Sequence, residues 1–205
     1  MFRNNKVVEL EDLDTVLTEL RSAGKSVVHS HGVFDLLHLG HIRHFEEAKS
    51  MGDVLVVTVT RDEHVQKGPH RPAFSHDLRA EAVAALGAVD FVAINRWSLS
   101  VETIKLLRPD IYVKGPDYKD KSKDVTGGII AEEAAVKSVG GEIRFTDDVT
   151  FSSSSLLNRH LSSFPTETDR YLEDFRERHS EDEVLGWLEE VRQLHPLIVG
   201  EAIID

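Results

Sequence analysis

Apolar residues at Leu10, Leu13, Val16, Leu17 and Leu20 recur with the helical period, and Gly24 stands where such a helix would stop. "KSVVHSHG" then reads as a short strand broken at Gly32, and "IRHFEEAKSMG" as a helix ended by Gly52. "DVLVVTVT" is an unbroken β-branched run, the pattern of a strand covered on both faces. "FSHDLRAEAVAALGA" is helical with Ser75 at its N-cap, "VDFVAI" is a third strand, and "VETIKLL" is a short helix ended by Arg108 and Pro109. "DIYVKG" predicts a fourth strand and residues 129–139 a further helix. The chain turns at Gly140 and Gly141, and "EIRFTD" makes a fifth strand.

Strands and helices alternating at this rhythm predict a Rossmann-like, doubly wound, five-stranded parallel sheet with helices on both faces. In such sheets ligands sit beyond the carboxyl ends of the strands, near the point where strand order reverses. The segments that follow the strands are "HGVFDLLHLGH", "TRDEHVQKGPHR", "INRWS", "KGPDYKD" and "DDVTFSSSS". Histidine, lysine and arginine gather in the first, second and fourth. From about Pro165 the chain becomes highly charged and helical. Tyr171, Leu172 and Phe175 share one face, Val184, Trp187, Leu188, Val191 and Leu194 continue the pattern, and Ser180 and Glu183 have capping-box spacing. "PLIVGEAIID" then begins a fresh apolar strand, as if a longer protein continued beyond it.

Composition narrows the functional classes. A net charge of −12 argues against a nucleic-acid partner, because a polyanion would be repelled overall. No run approaches the roughly 18 apolar residues of a spanning helix, and "MFRNNKVVELEDLD" lacks the apolar core of a secretory signal. The expectation is therefore no membrane partner. Zero cysteines exclude disulfide and thiolate chemistry and fit a cytoplasmic location.

His38 and His41 flank Gly40 at the predicted start of a helix, where free amides and the positive dipole end face the strand tips. Two imidazoles there could donate hydrogen bonds to phosphate oxygens and stabilise charge that builds up during phosphoryl or nucleotidyl transfer. With His29, His31 and His44 they could also form a zinc cluster. Their spacing of three, however, differs from the usual helical spacing of four, and no carboxylate cluster completes a metal set. A third reading gives them no chemistry at all. Spacing alone leaves all three open.

"HGVFDLLHLGH" resembles the signature of the cytidylyltransferase-like nucleotidyltransferases, in which His-x-Gly-His follows Gly-x-Phe-Asp. "RPAFSHDLRAEAVAALGAVDFV", "DIYVKGPDYKD" and "FSSSSLL" follow in family order, so the likeness runs from about Ser26 to Leu161. Within the family, "VKGPDY" is most similar to the adenylyltransferase domain of bifunctional ADP-heptose synthases. The resemblance implies transfer of NMP from an NTP to a small phosphorylated acceptor, with release of pyrophosphate. ATP with a heptose-like sugar 1-phosphate is the favoured pair, and CTP with a glycerol-phosphate-like alcohol is the alternative. A nucleotide-binding module without turnover is the non-enzyme alternative.

Carried over to this chain, the resemblance implies that Gly32, Val33 and Phe34 lie along the nucleotide and that His38 and His41 contact its triphosphate. Lys67 would act in catalysis and, with Arg79, bind the acceptor; Lys114, Gly115 and Asp117 would recognise ribose and base. Ser152, Ser153 and Ser154 would meet the phosphates. Ser155 stands where the glycerol-phosphate branch has a lysine, which favours the sugar-phosphate branch. Mg²⁺ held mainly by the NTP phosphates is the cofactor implied, with no metal site on the protein. Asp35 is expected to tie down its loop, and His29, His31 and His44 to be bystanders. "LIVGEAIID" resembles the first strand of ribokinase-type sugar kinases. The organisation expected is then a nucleotidyltransferase domain over 1–163, a helical linker over 164–196 and the start of a fused sugar-kinase-like domain over 197–205. A homodimer is a further expectation, since relatives are often dimers.

Overall fold

The computed structural model describes residues 4–67, 71–118, 128–147 and 165–194. The strands are β1 (Val27–Gly32), β2 (Val54–Thr60), β3 (Phe91–Asn95), β4 (Ile111–Lys114) and β5 (Glu142–Phe145). They form one parallel sheet in the order β3-β2-β1-β4-β5. The chain builds outward from β1 through β2 to β3, then crosses to β4 on the other side. The crevice where strand order reverses therefore lies between β1 and β4, whose registered pairs include His29 with Tyr112 and Ser30 with Val113.

Alternation along the strands divides the helices between two faces. Val28, Leu55, Val57, Val92 and Val113 pack against Phe45 and Ala48 of α2 (Leu39–Ser50) and Ala80 and Val83 of α3 (His76–Ala84). On the opposite face, Val27, Val54, Val56 and Ala93 meet Leu10, Leu13 and Leu17 of α1 (Leu10–Ser22) and Leu107 of α4 (Val101–Leu107). Tyr112 packs with Ile104 of α4 and with Ala135 and Val136 of α5 (Gly128–Ser138). No described helix is long and apolar enough to cross a membrane.

The expected helices and strands are all present within residues 10–145, with one informative shift. Helix α2 begins at Leu39, so His38 is its N-cap residue, with φ −137° and ψ 174°. Ser75 occupies the N-cap position of α3 without a side-chain hydrogen bond. The described residues 165–194 belong to a second compact unit. Within it, α6 (Thr166–Arg178) and α7 (Glu181–Val191) are joined at Ser180, whose hydroxyl accepts the Glu183 N–H at 3.2 Å. Phe175, His179 and Trp187 form the aromatic contact between those two helices. The strand expected over 197–205 lies outside the described residues.

The turn into β5 depends on two glycines for different reasons. Gly140 has φ +84°, whereas a Cβ on Gly141 would lie 2.3 Å from the Pro109 carbonyl oxygen. Gly141→Ala is expected to lower stability by about 1–3 kcal/mol in chemical denaturation, because backbone must move to admit the methyl. Gly87→Ala, with nothing within 4 Å and no positive φ, is expected to be neutral or slightly stabilising in the same assay.

Candidate active site

The segment after β1 is held in a conformation that its bulky residues would not choose alone. Phe34 and Leu36 have φ of 49° and 55°, in the left-handed region. Buried Asp35 fixes them: its carboxylate accepts from Arg71 Nε at 2.8 Å and from the N–H groups of Ala73 and Phe74. This is the loop-tying role expected of it. The Phe34 ring lies over Gly32, where a Cβ would come 2.9 Å from the ring tip, and meets His41 edge-on at 5.7 Å. A side chain at position 32 would therefore have to displace the Phe34 ring.

The two motif histidines stack with ring centroids 3.9 Å apart. His41 Nδ1 accepts the His38 backbone N–H at 3.4 Å, so neutral His41 carries its proton on Nε2 as a free donor. Neither buried ring nitrogen of His38 has a hydrogen-bond partner. Burial, and then the neighbouring His38, His44 and Lys67, push the His41 pKa down to about 3; burial also lowers that of His38. The pair is neutral at physiological pH, with unfilled hydrogen-bonding capacity at the start of α2.

Across the sheet edge lies an open cavity of about 180 Å³, lined by His31, Gly32, Thr60, Lys67, Lys114 and Glu132 among others. The strands contribute polar residues to this face. His29 Nε2 lies 2.8 Å and His31 Nδ1 2.9 Å from the Thr58 hydroxyl, while His31 Nε2 lies 3.3 Å from that of Thr60. Lys114 Nζ pairs with Glu132 Oε2 at 2.8 Å and sits 4.6 Å above the Tyr118 ring. Ser100 donates to Glu132 Oε1 at 2.7 Å, so the Tyr112 hydroxyl, 2.8 Å away, donates to Ser100. Burial works against the Lys114 charge, but Tyr112, Glu132 and Tyr118 outweigh it and raise its pKa above the ordinary value. Burial and the Lys114 charge in turn lower His29 to about 3 and His31 well below its usual range.

Gly32, Val33, Lys67 and Lys114 all line the cavity. Burial and Arg71 lower the Lys67 pKa. Gly115 follows β4 with nothing near its Cα, and Asp117 lies in the short 3-10 turn Pro116–Tyr118, its side chain outside the described residues. Ser152, Ser153 and Ser154 also lie outside them. Arg79 corrects the expectation of an acceptor contact. It is 1% exposed, and its guanidinium donates to Phe74 O, Val33 O, Thr60 O and the Asp62 carboxylate, so its donors are committed inside the protein. His31 and Glu132 line the cavity although the sequence reading made one a bystander and passed over the other. His44 joins Ser30 at 2.9 Å to Thr146 at 3.0 Å. Among the described residues, no group of three or more His, Cys, Asp or Glu could hold a metal ion.

Residues 30–159 match the model of the cytidylyltransferase-like family, and the chain belongs to that family. Its class is that of the nucleotidyltransferase enzymes. Curated relatives include the bifunctional protein HldE of Aliarcobacter butzleri, 40% identical over 142 residues, or 68% of this chain and 29% of that protein. HldE of Syntrophotalea carbinolica is 35% identical over 164 residues, or 78% of this chain and 32% of that protein. The chain thus spans under a third of the length of these relatives. Among solved structures, a lipopolysaccharide core biosynthesis protein from Thermoplasma volcanium is similar, with a TM-score of 0.50 and 27% identity over 63% of this chain and all of that one. The pantoate-beta-alanine ligase of Francisella tularensis shares the fold, with a TM-score of 0.52 and 15% identity over 77% of this chain and 73% of that one.

The buried histidines make stability depend on pH. Unfolded imidazoles take up protons near pH 6.5, whereas folded His29 and His41 do so near 3 and His44 near 4. Between these values the unfolded chain binds more protons, so folded stability is full above about pH 7 and falls with acidification. Each such histidine is expected to contribute a loss of up to about 1.4 kcal/mol per pH unit below 6.5. Denaturant midpoints at pH 7.5, 6 and 5 check the slope.

Proposed function

We propose that this domain transfers the nucleoside monophosphate of ATP to a small phosphorylated acceptor, a sugar 1-phosphate, with release of pyrophosphate. The observation that carries the reading is the neutral His38–His41 pair at the start of α2, its donors unfilled, beside a cavity that shares the end of β1. An acceptor phosphate oxygen attacks the α-phosphorus, the bond to the β-phosphate bridging oxygen breaks, and pyrophosphate carries away the electron pair. The acceptor brings its own anionic nucleophile, so no protein base is required. His41 Nε2–H and the free amides of α2 would stabilise charge on the transferring phosphate, and Lys67 would draw the two reactants together. Neutral imidazoles suit this role because they enter the free site without mutual charge repulsion.

Mg²⁺ would enter on the NTP and shield its phosphates. Relatives named as bifunctional, and the small share of their length that this chain spans, support a fused second activity, for which a sugar kinase is our reading. A chain without cysteine supports a cytoplasmic location.

His38→Ala and His41→Ala are each expected to lower pyrophosphate release about 10²–10³-fold while the protein stays folded, as expected when a donor to the transition state is removed. Assays pair ATP or CTP with heptose, hexose and glycerol phosphates in the presence of Mg²⁺. Near wild-type turnover in both variants would contradict the reading.

A further inference from the structure

The cavity contains a buried charge pair that the transfer chemistry does not require. Lys114 Nζ and Glu132 Oε2 meet at 2.8 Å with side chains 8% and 5% exposed. Taking two charges out of water is costly, and an apolar pair of similar size would often be neutral or more stable. Their arrangement leaves bonding capacity on both partners. Glu132 Oε1 accepts from Ser100, but Oε2 makes the ion pair and no other hydrogen bond. An ammonium has three N–H donors. One Lys114 donor faces Glu132, a second the Tyr112 hydroxyl, and the charge lies above the Tyr118 ring, so one donor remains for the cavity. The Tyr112–Ser100–Glu132 chain of hydrogen bonds fixes where the carboxylate points.

A donor and an acceptor held side by side match a hydroxyl group, which needs one of each. The pair is neutral overall, so it adds little attraction for a bare phosphate; that falls to Lys67, which also lines the cavity. At about 180 Å³ the cavity is smaller than the roughly 300–1,000 Å³ of sites for drug-sized ligands, and suits a small acceptor better than a whole nucleotide. We propose that Lys114 and Glu132 are the specificity-determining pair that reads hydroxyl groups of the acceptor, selecting a polyhydroxylated phosphate over a plain alkyl phosphate. Glu132 thereby joins the site, and Lys114 moves from the nucleotide to the acceptor. Filling the cavity with an alkyl chain would leave the pair's free valences unsatisfied in a dry site, the situation in which polar sites reject analogues most strongly.

This inference rests on the transfer reading for its role, but its test is direct binding and so stands apart from turnover. Isothermal titration of the 205-residue chain uses heptose, hexose and polyol phosphates, propyl phosphate as the hydroxyl-free control, and non-hydrolysable ATP with its 2′- and 3′-deoxy forms. Wild-type protein is expected to bind at least one polyhydroxylated phosphate about tenfold or more tighter than propyl phosphate. Glu132→Gln is expected to cut the preference for that ligand over propyl phosphate about tenfold, propyl phosphate itself binding no more weakly because the unpaired Lys114 charge favours a phosphate, and the ATP analogue losing no more than about twofold. Melting curves establish that the variant is folded. If it is not, the double variant Lys114→Met/Glu132→Leu, neutral like the pair it replaces, carries the same comparison. Equal affinity for propyl and sugar phosphates in wild type would overturn the proposal. So would a folded variant with unchanged preference for the sugar phosphate, or a loss that falls on ATP and vanishes with a deoxy analogue, which would assign the pair to ribose. Absence of pyrophosphate with every acceptor would sink the transfer reading alone.

Discussion

The buried guanidinium of Arg79 holds together the parts of the molecule that matter for chemistry. From α3 it reaches the carbonyl that follows β1, the last carbonyl of β2 and the Asp62 carboxylate, while its Nε bonds to the carbonyl of Phe74. Loops that leave adjacent parallel strands diverge, and nothing in the sheet ladder fixes them beyond the last paired residue. One side chain here clamps both, which is a task for a planar fork of donors rather than a flexible ammonium. Asp35 works from the other direction, joining the β1 loop to Arg71 and to the backbone that leads into α3. Between them these two buried ionic groups tie the segment after β1 to the end of β2 and to the chain that enters α3.

The sheet is asymmetric in chemistry as well as topology. Toward α2 and α3 its carboxyl-end residues lead into an apolar core that seats Phe34 and Phe45 beneath the histidine pair. Toward α1, α4 and α5 the same strands present His29, His31, Thr58, Thr60 and Lys114. Burial, and then the Lys114 charge, suppress protonation of both strand histidines, so charge is concentrated at Lys114 and Glu132 while the imidazoles stay neutral. Two differently prepared half-sites therefore meet at Gly32, one poor in charge and rich in unused donors, the other built around an ion pair.

Much of this was legible in the sequence because the signals were periodic. The β-branched run of β2 and the alternating faces of the helices gave the strand order its raw material. The basic segments after β1, β2 and β4 marked the edge of the sheet on which the cavity opens. Two adjacent "x-His-x-His" and "Thr-x-Thr" patterns, in "VHSH" and "TVT", also placed four polar residues on one strand face, a period-2 signal available but unused. Other features carried no local signature. A helical arginine reads as solvent-facing, and only the return of α3 over the strand ends buries Arg79. Glu132 in "AEEAAV" looks like any exposed helix acid until α5 lands against Lys114. Left-handed Phe34 and Leu36 run against their own preferences and are imposed by Asp35. Helix α2 begins ahead of its apolar pattern with His38 in the N-cap position, and the His38 backbone N–H sets the tautomer of His41.

Nitrogen-15 NMR of the imidazoles, titrated with non-hydrolysable ATP and Mg²⁺, tests the central claim most directly. In free protein at pH 7 the account predicts a neutral His41 with its proton on Nε2. Nucleotide should move the His38 and His41 signals and leave buried His29 almost unchanged. A protonated His41 before ligand, or signals of His38 and His41 that saturating nucleotide does not shift, would contradict it.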